Sequence, residues 1–439
     1  MKIRTVPGRL APWLLVAGMG VPAAAMAAGF AITEENATGL GMAYSDMATG
    51  NGNASGMFFN PATLSDLPGT QLSAGLIYID PLFQLNNGKS TTPLGTTVSG
   101  GDGGNAGVAA LVPNLYVTHQ IDSRLHVGIG LSVPYGLSTK YTDGWLGRYH
   151  AIKSEVQVIN LNPALSYTVD PTLSLGFGLD IQRASADLTS AIDSGTLCIA
   201  GGGGSACAGS KDGSVRIKGH DWALGWNAGL LWRPTAATTV GLAYRSAVDH
   251  KLKGTVQYNV PALLASNPQF ADTNATAKLD LPATLNLGVS QKLSPRWTVT
   301  GGVLWTQWSR FKELRVVKDN GQPDLLTTEN WKNTLRYAVG ASFRQNDRLT
   351  WRAGVAYDPT PVPNAEHRTA RLPDSNRTWL SLGAGYKVSK QMTVDVGYTH
   401  IWFRNVNIDN TTEGAYKNTL TGTYTGSVDI FGAQLSYRF

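Results

Sequence analysis

The feature that most limits what this chain can become is a two-residue alternation of large apolar with small or polar side chains, sustained over long runs. Leu125, Val127, Ile129, Leu131, Val133 and Tyr135 alternate with Arg124, His126, Gly128, Gly130, Ser132 and Pro134. Leu173, Leu175, Phe177, Leu179 and Ile181 alternate in the same way, as do Trp222, Leu224, Trp226, Ala228, Leu230 and Trp232, and Met392, Val394, Val396, Tyr398 and His400. A period of two is that of a β-strand with two unlike faces. Runs of roughly 11 to 16 residues exceed the five or six common in soluble sheets and suit a tilted strand crossing a bilayer. Aromatic residues sit near the ends of the runs. Trp222 and Trp232 bracket one, Trp297 and Trp305 fall in another, and Tyr437 and Phe439 close the last. Interfacial girdles occur at such positions.

Beyond the first thirty residues no stretch approaches 18 consecutive apolar residues, so helical spanning is excluded. In lipid every backbone N–H and C=O must be paired internally, and a closed barrel is the strand structure that does so. About 14 candidate strands can be counted, an even number as a bacterial barrel requires. They lie near 70–83, 108–121, 124–136, 154–169, 172–188, 214–233, 237–258, 278–292, 296–311, 333–346, 348–358, 378–388, 392–406 and 424–438. Short joins such as Asp122-Ser123, Asp170-Pro171, Pro234-Thr235, Ser294-Pro295 and Asp347 read as tight turns at one end. The longer Gly-, Ser- and Asn-rich segments 84–107, 189–213, 259–277, 312–332 and 407–423 read as loops at the other. The fold class is therefore all-β, a 14-stranded antiparallel transmembrane β-barrel.

The chain begins with a basic stretch (Lys2, Arg4, Arg9), a short broken apolar run over Leu10 to Val21, and small residues ending Ala25-Met26-Ala27. This pattern predicts a signal peptide over 1–27 with cleavage after Ala27. Export, with a C-terminal alternating strand ending in Phe439, predicts the bacterial outer membrane as the destination. Cys198 and Cys207 enclose eight small or apolar residues. In an exported protein they are expected to form a loop disulfide rather than a metal or redox site. The formal charge of +6 is scattered, and with export it argues against nucleic acid as a partner. No GxSxG, HExxH or phosphate-cradling motif is present, so no enzyme, cofactor or metal is expected.

Residues 28–69 do not alternate. They are rich in small residues and end in Phe58-Phe59-Asn60-Pro61-Ala62, and their apolar content suggests that they pack inside the barrel formed by 70–439. Gly29-Phe30, Gly39-Leu40-Gly41-Met42-Ala43-Tyr44-Ser45 and Asn60-Pro61-Ala62 resemble the N-terminal hatch of the FadL-type long-chain fatty acid transporters, a family that includes relatives handling aromatic hydrocarbons. The resemblance continues through Asn160-Leu161-Asn162-Pro163-Ala164, Gly225-Trp226-Asn227-Ala228-Gly229, Tyr244-Arg245-Ser246, Pro361-Val362-Pro363, Arg371-Leu372-Pro373-Asp374 and Arg377. It covers essentially the whole exported chain in order.

The resemblance implies a barrel plugged by its hatch. Ligand would be captured at the outer face, held in an apolar pocket and released sideways through the wall where the third strand is kinked. Pro134 and Gly136 lie in that strand. Pro cannot donate a ladder hydrogen bond, so a local break in pairing is expected there, although a simple strand end reads equally from these residues. Gly29, Phe30 and Ile32 could reach the pocket. Asn60, Pro61 and Ala62 could pack at the kink, or could be an ordinary turn. A carboxylate head group would want a cation in a partly dry site, for which Arg183 and Arg315 are candidates. Arg371, Asp374 and Arg377 could brace the hatch or form a solvated turn. The expected function is passive uptake of long-chain fatty acids, with aromatic hydrocarbons or other small hydrophobic compounds as the alternative. A general diffusion porin would leave the apolar N-terminal segment unexplained. Expected partners are the ligand, outer-membrane lipid and lipopolysaccharide, and the barrel-insertion machinery, the protein acting as a monomer.

Overall fold

The computed structural model describes residues 29–207, 211–262, 264–413 and 417–439; the expected leader, 1–27, lies outside the described residues. One antiparallel sheet runs through the chain. Its first strands are β1 Thr70–Thr91, β2 Ala110–Gln120, β3 Leu125–Lys140, β4 Lys153–Asp170, β5 Leu173–Ile192 and β6 Gly213–Thr235. Four wall strands then follow, each in two pieces. These are β7 Thr238–Arg245 with β8 Val248–Asn259, β9 Thr273–Leu281 with β10 Thr284–Lys292, β11 Trp297–Thr306 with β12 Glu313–Lys318, and β13 Leu325–Thr328 with β14 Thr334–Arg344. β15 Leu349–Asp358, β16 Arg377–Lys387, β17 Met392–Phe403 with its continuation β18 Val406–Thr411, and β19 Thr419–Arg438 complete the wall. β19 pairs with β1 from Gln71↔Arg438 to Thr91↔Thr419, and this closes a barrel of 14 strands.

The barrel is inverted relative to a soluble protein. Leu76, Ile129, Leu175, Leu224, Val339, Leu382 and Phe431 are 45–75% exposed on the outside, while Ser73, Asn160, Asp180, Asn227 and Asp395 are buried inside. A face this apolar is stable only against lipid. Among the described residues no helix is long and apolar enough to cross a membrane. The short turns are built as expected from side-chain oxygens that accept from the backbone two and three residues on. Asp122 Oδ1 accepts from Arg124 N and Leu125 N, and Asp170 Oδ1 from Thr172 N and Leu173 N.

Strand ends at the turn side match the sequence reading closely, whereas several at the loop side run on beyond it. β1 continues to Thr91 rather than ending near 83, and β19 starts at Thr419 rather than 424. The added pairs, such as Asn86↔Thr423 and Lys89↔Thr421, are polar on both partners. Above the bilayer neither face of a strand has to meet lipid, so the apolar signal disappears while the hydrogen-bond ladder continues.

Residues 29–69 fold into the helical turn α1 Ala37–Leu40 and 3-10 turns at Ala54–Phe58 and Pro61–Asp66, and nearly all of them are buried. Inward-facing wall glycines receive them. A Cβ at Gly383 would come within 2.8 Å of Gly41 Cα, one at Gly397 within 2.7 Å of Ala37 O, and one at Gly432 within 2.9 Å of Leu40. Gly354 faces the Met42 backbone, Gly241 the Ala48 carbonyl, and Gly176 the Pro61-Ala62 peptide, each too closely for any side chain. The high glycine content thus has a location: a belt on the inner wall that lets two backbones touch.

Candidate functional site

β3 leaves the wall half-way along. It pairs with β2 from Gln120↔His126 to Leu115↔Leu131, and the register ends there; on the other side its pairing with β4 slips between Ser132 and Tyr135. Pro134 has no N–H to offer a ladder, so the break falls where the sequence places it. From Ser132 to Thr139 every residue is buried, on both faces of the strand, so this half lies inside the line of the wall. β2 still pairs with β1 up to Ile79↔Ala110. Its Ala110–Asn114 edge and the second half of β3 therefore bound a gap between neighbouring strands.

The N-terminal segment closes the gap from within. Ile32 N donates to Pro134 O at 2.8 Å and Gly136 N to Phe30 O at 2.9 Å, with Ala31 opposite Tyr135. Val133 N donates to Glu35 Oε1 at 3.1 Å. Glu35 and its neighbour Glu34 are fully buried, and burial pushes their carboxyls up to about 8 and about 7. At neutral pH Glu35 is largely protonated, and the cost of burying its charge is avoided.

Phe30 fills an aromatic cage. Its ring centroid lies 5.0 Å from Trp308, 5.4 Å from Phe311, 5.7 Å from Trp331 and 5.9 Å from Tyr135. Trp308 and Phe311 reach inward because the wall strand is interrupted between β11 and β12 by a 3-10 turn, Trp308–Arg310. Gly29 is required by the cage. Its φ is +67°, and a Cβ there would meet Trp331 at 2.6 Å and Trp308 at 2.8 Å. Gly29 N donates to Asp374 Oδ2 at 3.1 Å, and Asp374 and Asp358 flank the fully buried Arg377. Asp374 and Arg377 thus brace the segment's start, while Arg371 turns away from them.

Outside the cage, toward the long loops, lies a cavity of about 1080 Å³. Its apolar lining includes Leu188, Val215, Ile217, Phe270, Leu314 and Val316; Lys318 and Arg371 add positive charge, and Asp193, Glu366, Asp409 and Glu413 also line it. Lys318 is buried over the Tyr258 ring, its Nζ 3.4 Å from the Tyr258 hydroxyl. Arg371 Nη1 donates to Ser154 Oγ at 3.1 Å; burial lowers its guanidinium to about 10, still charged at neutral pH. Neither forms an ion pair with a carboxylate among the described residues.

The sequence-predicted residues are thus divided. Gly29, Phe30, Ile32, Pro134 and Gly136 come together. Asn60, Pro61 and Ala62 do not reach the kink: Asn60 Nδ2 donates to Ala48 O at 2.6 Å and Leu230 O at 3.1 Å, and Asn60 Oδ1 caps Ala62 N. They seat the segment against β5 and β6, because the glycines that admit a close backbone, Gly176 and Gly229, lie there. Arg183 is registered with Ile159 and with Trp222, which is 64% exposed, so it faces outward rather than into any internal pocket. Arg315 lines the outer cavity but is already paired with Glu313 and Asp324. Cys198 and Cys207 form the expected disulfide beside the short loop helix α2 Ser194–Ala200. The sequence reading missed Glu35, Trp308, Phe311, Trp331 and Lys318. Adjacent Glu34-Glu35 in a stretch of small residues was an available signal, as was the loss of alternation after Thr306.

A family model described as outer membrane protein transport protein (OMPP1/FadL/TodX) matches residues 18–439. The chain belongs to this family. It is a transport channel of the bacterial outer membrane and not an enzyme. A "47 kDa outer membrane protein" of Pasteurella multocida is 32% identical, the match covering 97% of this chain and 98% of that one. A "long-chain fatty acid transport protein" of Escherichia coli O6:H1 is 29% identical over the same shares. The crystal structure of a Pseudomonas aeruginosa FadL homologue superposes with a TM-score of 0.86 at 26% identity, covering 94% of this chain and all of that one.

Proposed function

We propose that this protein takes up hydrophobic compounds passively, long-chain fatty acids first among them, and releases them sideways into the bilayer between β2 and β3. The observation that carries the reading is the gap beside the inward half of β3, closed at its outer end by the Gly107↔Thr139 bridge and filled from within by residues 30–32, Glu35 and the aromatic cage. In it, residues 28–69 act as a hatch, and the leader 1–27 is removed on export. An apolar chain gains roughly 0.8 kcal/mol per methylene on leaving water, and lateral exit avoids returning it there. The hatch is wedged against the glycine belt on its far side, so movement of residues 29–36 suffices and expulsion of the whole plug does not arise.

A fatty acid fits the outer cavity because Lys318 and Arg371, neither ion-paired with a carboxylate among the described residues, stand beside its apolar lining. The relative from Escherichia coli bears a name that points the same way. The aromatic cage favours a second reading, in which flat hydrocarbons are the cargo. Binding of palmitate, methyl palmitate and ethylbenzene to Lys318→Ala and Arg371→Ala proteins separates the two. Loss of one charged hydrogen bond should weaken palmitate roughly 10- to 100-fold and leave the neutral ligands unchanged. Equal losses for all three would end the fatty-acid reading. The exit is tested by a Ala31→Cys/Tyr135→Cys protein, because cross-strand partners lie within disulfide reach. Uptake should stop when the bond forms and resume on reduction; uptake at full rate in the oxidised protein would refute lateral release.

A further inference from the structure

Above the outward-facing Trp222, on the loop side of the wall, the outer face of β5, β6, β8 and β9 changes from apolar to basic. The register puts Arg183, Arg216, Lys218, His220, Lys251, Lys253 and Lys278 on this one surface: Lys218 opposes Asp187, His220 opposes Ser185 and Lys253, and Lys251 directly opposes Lys278. Asp187 is consumed by Arg216 at 2.8 Å and Lys153 at 3.2 Å. Asp249 is taken by Arg310 at 2.5 Å. Asp280 stands two residues from Lys278, within its field and without a direct ion pair. Arg183, Lys251, Lys253 and Lys278 have no carboxylate partner among the described residues. Like charges directly opposite on one sheet face destabilise it unless an anion lies between them.

We infer that this face is a docking site for the phosphorylated head group of the outer-leaflet glycolipid, lipopolysaccharide, with its acyl chains lying below on Leu224 and Trp226. Three observations fix the occupant. The surface points away from the lumen, so no cargo passes it. It begins where the exposed apolar residues Leu224 and Trp222 end, on the loop side of the wall. Its excess charge is positive, and it is spaced along two strands so that two phosphates could be held at once. Lys ammonium groups suit this role as point charges toward phosphate oxygens.

The test uses the full-length protein in detergent, with diphosphoryl lipid A as the probe. Parallel arms carry dephosphorylated lipid A, phosphatidylglycerol and inorganic phosphate. A Lys251→Gln/Lys253→Gln/Lys278→Gln protein is compared with wild type and with Lys387→Gln/Lys390→Gln, which alters two lysines at the opposite, turn end of the wall. Heat-modifiable gel mobility verifies that each barrel is folded. Diphosphoryl lipid A should bind the triple variant on the order of 100-fold more weakly than wild type, and the turn-end variant normally. The dephosphorylated lipid should bind wild type as weakly as the phosphorylated one binds the triple variant. Equal affinity of wild type and triple variant for lipid A would overturn the inference. So would an equal loss in the phosphatidylglycerol or inorganic phosphate arm, since that would mark a nonspecific basic surface.

Discussion

The hatch meets the wall in two unlike ways. Along β14 to β19 its backbone lies directly on glycines, so that Gly41 touches Gly383 and the Ala37 carbonyl touches Gly397. At β3 the contact is made by side chains, two strap hydrogen bonds and the carboxyl of Glu35. The first interface has no alternative arrangement, because steric contact between backbones leaves nothing to repack. The second is made of parts that a ligand can replace: an alkyl chain or an aromatic ring offers the cage the same surface as Phe30. One segment inside the barrel thus carries both kinds of contact.

Putting a side chain into the rigid interface should have the largest effect. Gly354→Val would drive a branched group into the Met42 backbone and is expected to cost more than about 3 kcal/mol of hatch seating. The expected signature is steady single-channel current and protease cleavage within residues 29–69. A low-conductance, protease-resistant Gly354→Val barrel would show that the seat is adaptable after all. At the replaceable interface, Trp308→Ala should loosen the strap by about 3 kcal/mol, through loss of a fully buried ring. Phe30→Ala should act in the opposite direction on small ligands, because it vacates the cage without moving its walls. Ethylbenzene is expected to bind that variant about tenfold tighter, measured by calorimetry, and weaker binding would remove Phe30 from the role of stand-in.

A smaller effect should follow pH. Glu35 keeps its proton in the seated hatch up to about pH 8, whereas once released into water it ionises near 4.5. The released state therefore binds fewer protons between those values. Seating is strongest below about pH 4.5, weakens as pH rises through this window, and levels off above about 8. Exchange of the Ile32 amide should accelerate across the window, relative to a Glu35→Gln protein in which the intrinsic pH dependence cancels. A constant ratio would mean that Glu35 does not report on the strap. Least of all should depend on the loop disulfide. Cys198→Ser/Cys207→Ser is expected to leave uptake within about twofold of wild type and to sensitise only residues near α2 to proteolysis.

Much of the barrel was legible because its grammar is local. Alternation revealed Leu125 to Leu131 as a wall strand, and Asp122 and Asp170 revealed their turns, since each depends on neighbours two or three residues away. The kink at Pro134 was legible only in part: the missing N–H is a property of the residue itself, but Pro81 and Pro113 lack it too and stay in regular register, and a simple strand end read equally from the sequence. The cage was not. Trp308 and Trp331 approach Phe30 from some three hundred residues along the chain; the loss of alternation after Thr306 marks them off from the girdle tryptophans Trp297 and Trp351 but does not say which ring they meet. Arg183 illustrates the reverse error, since one step of register decides whether a strand residue faces lumen or lipid.

The sequence by itself determined that this chain closes a barrel, because in lipid the backbone has no partner but itself and the alternating pattern leaves one face for hydrocarbon. Only the tertiary structure decided where that wall is left unpaired and what fills the gap. Those depend on which glycines lie beneath the hatch, which strand edge is left without a neighbour, and which distant rings meet around Phe30. Contacts between residues remote in sequence carry no local signature, and here they make the difference between a continuous wall and one interrupted beside β3.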